Sequence, residues 1–156
     1  MRKFFTCISL LFLIIIIGFA APNSSISDSK ENAQKERFIA YDNGVVKDTE
    51  TGLEWFSGPD KNTNWYEAIR WVKSLTVAGG GWRMPTVKEL SSLYEKGSGT
   101  RNMTPLLKTT GSWVWSGETK GSSHVWFFHF FNGKKRWAPR SYSKDGGRVF
   151  AVCSQR

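Results

Sequence analysis

The chain has 156 residues, a formal net charge of +9 and 15% aromatic residues, eight of them tryptophan. A basic balance of this size suits an acidic partner (nucleic acid, acidic or sulfated polysaccharide, anionic lipid) or serves solubility alone. Two cysteines, Cys7 and Cys153, and two histidines, His124 and His129, leave little material for a disulfide framework or a metal centre.

The first element in chain order is a leader. "MRKFFTCISLLFLIIIIGFA" carries Arg2 and Lys3, then an apolar run, then Gly18 and Ala20 at the spacing of a signal-peptidase site, so cleavage is expected after Ala20. The 18 residues from Phe4 to Ala21 are also long enough to span a bilayer, which leaves an uncleaved N-terminal anchor as the alternative. Either way the chain is expected to be exported, to the periplasm, the cell surface or the medium. Intracellular nucleic acid is then not a partner. Residues 21–37 are polar and read as a flexible linker. Residues 38–156 are the expected domain, with a charge of +7 left on the chain once Arg2 and Lys3 are removed.

"FIAY" and "VVK" flank Asp42-Asn43-Gly44, a hairpin signal, and Glu50-Thr51-Gly52 turns the chain into "LEWF". The period then changes to that of a helix, with Trp65, Ala68, Ile69, Val72 and Leu75 on one side. Asn64 and Glu67 form a capping-box pattern at its start, and "TVAGGG" stops it. Thr86 and Glu89 repeat the device for a second helix bearing Leu90, Leu93 and Tyr94. Residues 95–111 read as a long surface loop, and "SWVWS" as a strand. "HVWFFHFF" and "KRW" flank Asn132-Gly133, a strong hairpin signal, and "GRVFAVC" reads as one closing strand. The order of elements predicts an α+β domain with an antiparallel sheet and both helices packed on one face of it.

"DTETGLEW", "WYEA", "GWRMPTVKEL" and "WSGE", followed by Trp126, Phe130 and Gly133 and then by Arg148 and Val149, carry a resemblance. In this order they resemble the C-terminal domain family of the Legionella collagen-like protein, an exported bacterial domain of unknown function, over residues 45–153. The resemblance implies a C-type-lectin-like fold, related to that of formylglycine-generating enzymes, and surface adhesion or glycan binding for the name-giving member. The family often has a Cys in the first helix where this chain has Val72, which implies that Cys153 has lost its partner. Members with collagen-like stalks trimerise, but no Gly-X-Y repeat is present here.

Catalysis is not expected. Neither His124 nor His129 sits in a nucleophile or zinc motif, and positions five apart on a strand face opposite ways. The calcium-binding triplets of lectins are missing, and one cysteine outside the leader cannot supply the redox pair of the formylglycine-generating enzymes. No metal or cofactor is expected.

Cations are organised differently. Lys134, Lys135, Arg136, Arg140, Lys144 and Arg148 fall within 15 residues, opposed only by Asp145. With Trp137 and Tyr142 they form the candidate ligand site, in which Arg gives paired bonds to sulfate or carboxylate and Lys a point charge. A solvated basic edge that discourages strand-to-strand aggregation explains the same residues without a ligand. In "VWFFHFF", alternation sends Val125, Phe127, His129 and Phe131 to one face and Trp126, Phe128 and Phe130 to the other. Burial on both faces is the expected outcome for these rings, and Trp82, Trp115 and Leu90 are expected in the core. Arg83 is expected to pair with Asp48 or Glu89. The primary expectation is an exported, adhesin-like binding module for acidic or sulfated glycan. Extracellular DNA is an alternative ligand, and a structural subunit meeting an envelope protein is the alternative function.

Overall fold

The computed structural model describes residues 37–154. The expected leader and the linker up to residue 36 lie outside the described residues. Arg37, counted with the linker on composition, is tied to the domain: its guanidinium donates to the fully buried Asp48 carboxylate at 2.9 and 2.6 Å and to the Ser92 carbonyl at 3.1 Å.

The domain is α+β, but it holds two sheets where one was expected. Strands β1 (Phe38–Ala40), β2 (Val45–Asp48) and β3 (Leu53–Ser57) form an antiparallel meander. Helix α1 (Trp65–Lys73), a 3-10 turn (Val77–Gly79) and helix α2 (Val87–Ser92) follow. Strands β4 (Trp113–Lys120), β5 (His124–His129) and β6 (Lys134–Pro139) form a second meander. The closing segment, read as one strand, is two. Residues Gly147–Arg148 (β7) lie parallel to β4, and Phe150–Ser154 (β8) run antiparallel to β3. The sheets are therefore ordered β1-β2-β3-β8 and β6-β5-β4-β7, and the chain changes sheet at Val149. Gly58 permits the crossing: its N–H donates to the Val149 carbonyl at 2.9 Å, and a Cβ there would lie 2.6 Å from that oxygen.

Both capping boxes form as the sequence predicts. Asn64 and Glu67 exchange side-chain-to-backbone bonds at 3.0 Å, and Thr86 and Glu89 at 3.1 and 2.7 Å. The helices do not share one face of a sheet. Helix α1 buries Trp65, Ala68 and Val72 with Trp113, Trp115, Val125 and Phe127, whereas α2 buries Val87 and Leu90 with Val114, Phe128 and Phe130. Because those β4 and β5 side chains alternate, the two helices serve opposite faces of the second sheet. The same alternation splits Val45 from Val46 and Ala151 from its neighbours Phe150 and Val152 between the two clusters. Strands covered on both sides are apolar without a break, which is why "VWFF" and "VFAV" carry no polar alternation. Tyr94 and Phe128 meet edge to face at 5.9 Å on the α2 side.

The loop expected at the surface also contributes to the core: Met103, Thr104 and Leu107 are buried. Arg83 pairs with Glu89 through two bonds of 2.8 and 2.5 Å, since Asp48 is taken by Arg37. Cys153 is a free, half-buried thiol packed with the cluster that contains Val72.

Candidate functional site

Strand β6 is an edge of the second sheet, and its register with β5 decides what each side chain meets. Trp137 pairs with Trp126, Lys135 with Phe128, Arg136 with Phe127, Ala138 with Val125, and Lys134 with His129. Paired residues share a face, so Lys135 and Trp137 go with Trp126, and Lys134 and Arg136 go with Phe127 and His129.

On the Trp126 face the rings hold cations. Lys120 Nζ lies 4.0 Å from the Trp137 ring centre and 5.1 Å from that of Trp126, and Lys135 Nζ lies 5.1 Å from Trp126. His124 meets Trp137 edge-on at 5.0 Å. Lys120 reaches this position because β4 bulges between Trp115 and Thr119, which resets its register against β5. Trp137 is 49% exposed, so the platform is open to solvent.

Along the edge of β6 runs a cavity of about 730 Å3, lined among others by Trp113, Phe127, His129, Arg136, Tyr142 and Asp145. Trp113 is its floor. It lies 4.5 Å from Phe127 and stacks on Tyr142 at 6.1 Å, and its indole N–H donates to the Asp145 carbonyl at 2.8 Å. Gly147 beneath it has no side chain because a Cβ there would overlap the Trp113 ring. The Tyr142 hydroxyl donates to Asp145 at 2.5 Å, and that bond raises its pKa above the ordinary 10, so the phenol stays protonated. His129 is held below its ordinary 6.5, first by burial and then by the charge of Arg136, and its buried Nδ1 has no partner. At neutral pH it is an uncharged wall beside a charged one.

Four of the eight expected site residues line the cavity: Lys135, Arg136, Trp137 and Tyr142. Lys134 is exposed at the start of β6, and Lys144 is exposed in the loop after it. Two arginines are engaged elsewhere. Arg140 packs its guanidinium 4.9 Å from the Trp65 ring, and its backbone bonds Ser123 and Trp65. Arg148 is 8% exposed and donates to Asp60 at 2.7 Å, Asn62 at 2.9 Å and Thr110 at 3.0 Å. It ties two loops to β7 and does not join the surface patch. Sequence reasoning missed Lys120, Trp113 and Asp145. Trp113 was legible only as a strand residue, and no local signal announced the bulge that delivers Lys120.

The family model described as the Lcl C-terminal domain matches residues 44–152. The chain belongs to this family. No curated protein matches it. The Lcl C-terminal domain match takes in the second to seventh strands, the first three residues of the eighth, both helices and every residue that lines the cavity. The motifs that carry the resemblance are largely architectural in this Lcl C-terminal domain. Trp82, Leu90 and Trp115 are buried, Arg83 and Glu89 pair across the start of α2, and Arg148 braces the loops.

Proposed function

We propose that this Lcl C-terminal domain is an exported binding module of C-type-lectin-like fold that captures an acidic or sulfated polysaccharide along β6. The observation that carries the reading is the juxtaposition of unpaired cations with an aromatic-floored cavity on an edge strand. Among the described residues no carboxylate forms an ion pair with Lys120, Lys135 or Arg136. Trp137 and Tyr142 offer ring faces for sugar, buried Trp113 backs Tyr142 from beneath, and Asp145 offers an acceptor for a sugar hydroxyl. A cavity of this size suits one or two sugar units, within the roughly 300–1,000 Å3 common for ligand sites. The mechanism is electrostatic capture followed by stacking, and no bond is made or broken. The fold assignment rests on the resemblance, and the two capped helices and core-bearing loop of residues 95–111 support it.

The test is binding of the chain to a sulfated glycan, a neutral glycan and DNA over a series of salt concentrations. A companion variant carries Lys120→Ser, Lys135→Ser and Arg136→Ser. Affinity for the sulfated glycan that falls steeply with salt and disappears in the variant supports the reading. Equal affinity for DNA would make the site a general polyanion trap. Binding that survives all three substitutions sinks it.

A structural subunit is the second reading, favoured by one observation. Phe131 is 77% exposed at the tip of the β5–β6 hairpin, beside the open edge of β6. A solvent-facing ring in that position suits a protein partner in the envelope. Loss of a defined co-purifying protein on Phe131→Ser would replace the glycan reading.

A further inference from the structure

The loop between α2 and β4 holds a second, smaller cavity of about 150 Å3. Its walls include Arg101, Lys108 and the threonines Thr100, Thr104 and Thr109. The frame around it is fixed from several sides. The Asn102 side chain donates to the Phe130 carbonyl at 2.8 Å and accepts from the Gly97 N–H at 2.9 Å. Met103 and Leu107 anchor the loop in the core. The Asp60 carboxylate accepts from the Thr110 N–H at 2.9 Å and is neutralised by Arg148.

Donors in this cavity outnumber the acceptors that answer them. One Arg101 nitrogen, Nη2, donates to the Thr110 carbonyl, but its Nε is buried with no partner. Thr104 is buried, and its hydroxyl oxygen receives only a long contact of 3.4 Å from the Leu106 N–H. No acidic residue lines the space, and among the described residues neither Arg101 nor Lys108 forms an ion pair. A buried guanidinium nitrogen without an acceptor is costly, and an anion is the group that relieves it.

Size narrows the ligand. Sites for a sugar or a drug-sized molecule start at roughly 300 Å3. This one accommodates a single tetrahedral group. We infer that residues 100–109 form a site for one sulfate or phosphate group, taken either as the free ion or as an ester carried on a larger molecule. Arg101 supplies N–H bonds, the Thr100 and Thr104 hydroxyls supply further donors, and Lys108 supplies charge at the mouth, while the Thr109 hydroxyl is turned to Asp60 at 3.4 Å. The site shares no residue with the cavity along β6, so each stands or falls without the other.

The experiment is a titration of the full chain with sodium sulfate and then sodium phosphate, at ionic strength held constant with sodium chloride, read from backbone amide shifts. A monosaccharide sulfate ester forms a third arm. Saturable shifts confined to residues 100–109 are expected. Arg101→Gln should weaken them by about tenfold and Lys108→Ser by about threefold, with all other amides unmoved. Equal binding of the ester identifies a sulfate borne on a polysaccharide, and its rejection identifies the free ion; both support the site. Shifts that chloride reproduces mean the cavity does not select a tetrahedral anion, and shifts that persist in both variants mean the anion binds without Arg101 and Lys108. Shifts lost in Arg136→Ser would place the anion on β6. Either result overturns the inference.

Discussion

Lys120 and Trp137 meet face to face across the second sheet, with the ammonium 4.0 Å from the ring centre. The contact positions a charge without cancelling it. A lysine held by a carboxylate has spent its field, whereas a lysine held by an indole face keeps most of its attraction for an incoming anion. Lys135, on Trp126, is held in the same way. Trp137→Ala should therefore weaken sulfated-glycan binding by about three- to tenfold while costing stability less than ~1 kcal/mol, because the ring is half exposed. Calorimetric titration and the urea midpoint measure the two effects separately.

His129 gives the cavity a pH dependence. It pairs with Lys134 on β6 and with Trp113 on β4, and Arg136 is the charge that acts on it. Its folded-state pKa lies below 6.5, so the unfolded chain takes the proton first. Stability is full above about pH 6.5 and declines as pH falls from there towards the folded pKa. The same proton adds a third cation beside Lys134 and Arg136, so affinity for a sulfated glycan should rise over that window. Binding constants between about pH 7 and pH 5 at fixed ionic strength test this, and His129→Gln should flatten the profile.

Asp60 is a structural acid. Hydrogen bonding to Arg148 is the main cause of its low pKa, about 2 in place of 3.8. Its contribution is present above pH 3.8 and is lost as pH falls from 3.8 towards about 2. Asp60→Asn leaves the Arg148 guanidinium without its charge partner, and, with solvent screening at the half-exposed carboxylate, should cost about 1 kcal/mol at neutral pH. Glycan affinity and its salt slope should stay unchanged, since Arg148 faces inward. Denaturant unfolding read beside the binding assay separates this role from a direct one.

Glu89 closes the Thr86 capping box and pairs with Arg83. Its pKa is lowered, first by the hydrogen bond to Arg83, so the carboxylate is ionised throughout the neutral range. Glu89→Ala should cost about 1–2 kcal/mol, and Glu89→Gln less, because the amide still accepts from the Thr86 N–H. Thermal melts of the two variants give the order.

Local chemistry was legible in the sequence wherever cause and effect lie within a few residues. The boxes at Asn64–Glu67 and Thr86–Glu89 and the turn at Gly44 formed where the pattern placed them, and the β5–β6 hairpin formed with β5 ending at His129, two residues early, so that Phe131 is exposed and not buried. Arg83 with Glu89 was legible for the same reason. Arg148 was not, because its partners Asp60 and Asn62 are more than eighty residues away and nothing near it marks it as buried. The closing segment reads as one strand because Val149 continues its apolar pattern, and only tertiary pairing separates β7 from β8. Half of the candidate site followed from the charge run and its aromatic neighbours. The other half depended on which loops the arginines brace, a matter of long-range geometry.

The crossing at Val149 also governs assembly order. Leu53 pairs with Ser154, about a hundred residues later in the chain, and the Arg83 and Val152 backbones exchange two bonds of 3.0 Å. The first sheet thus waits for β8, made about a hundred residues after β3, and its early hairpins offer an open edge until that strand arrives. Contacts so distant in sequence slow folding and prolong the exposure of unpaired edges. A chain ending at Arg148 would retain every residue of the cavity along β6 and would still lack the strand that completes its neighbour sheet.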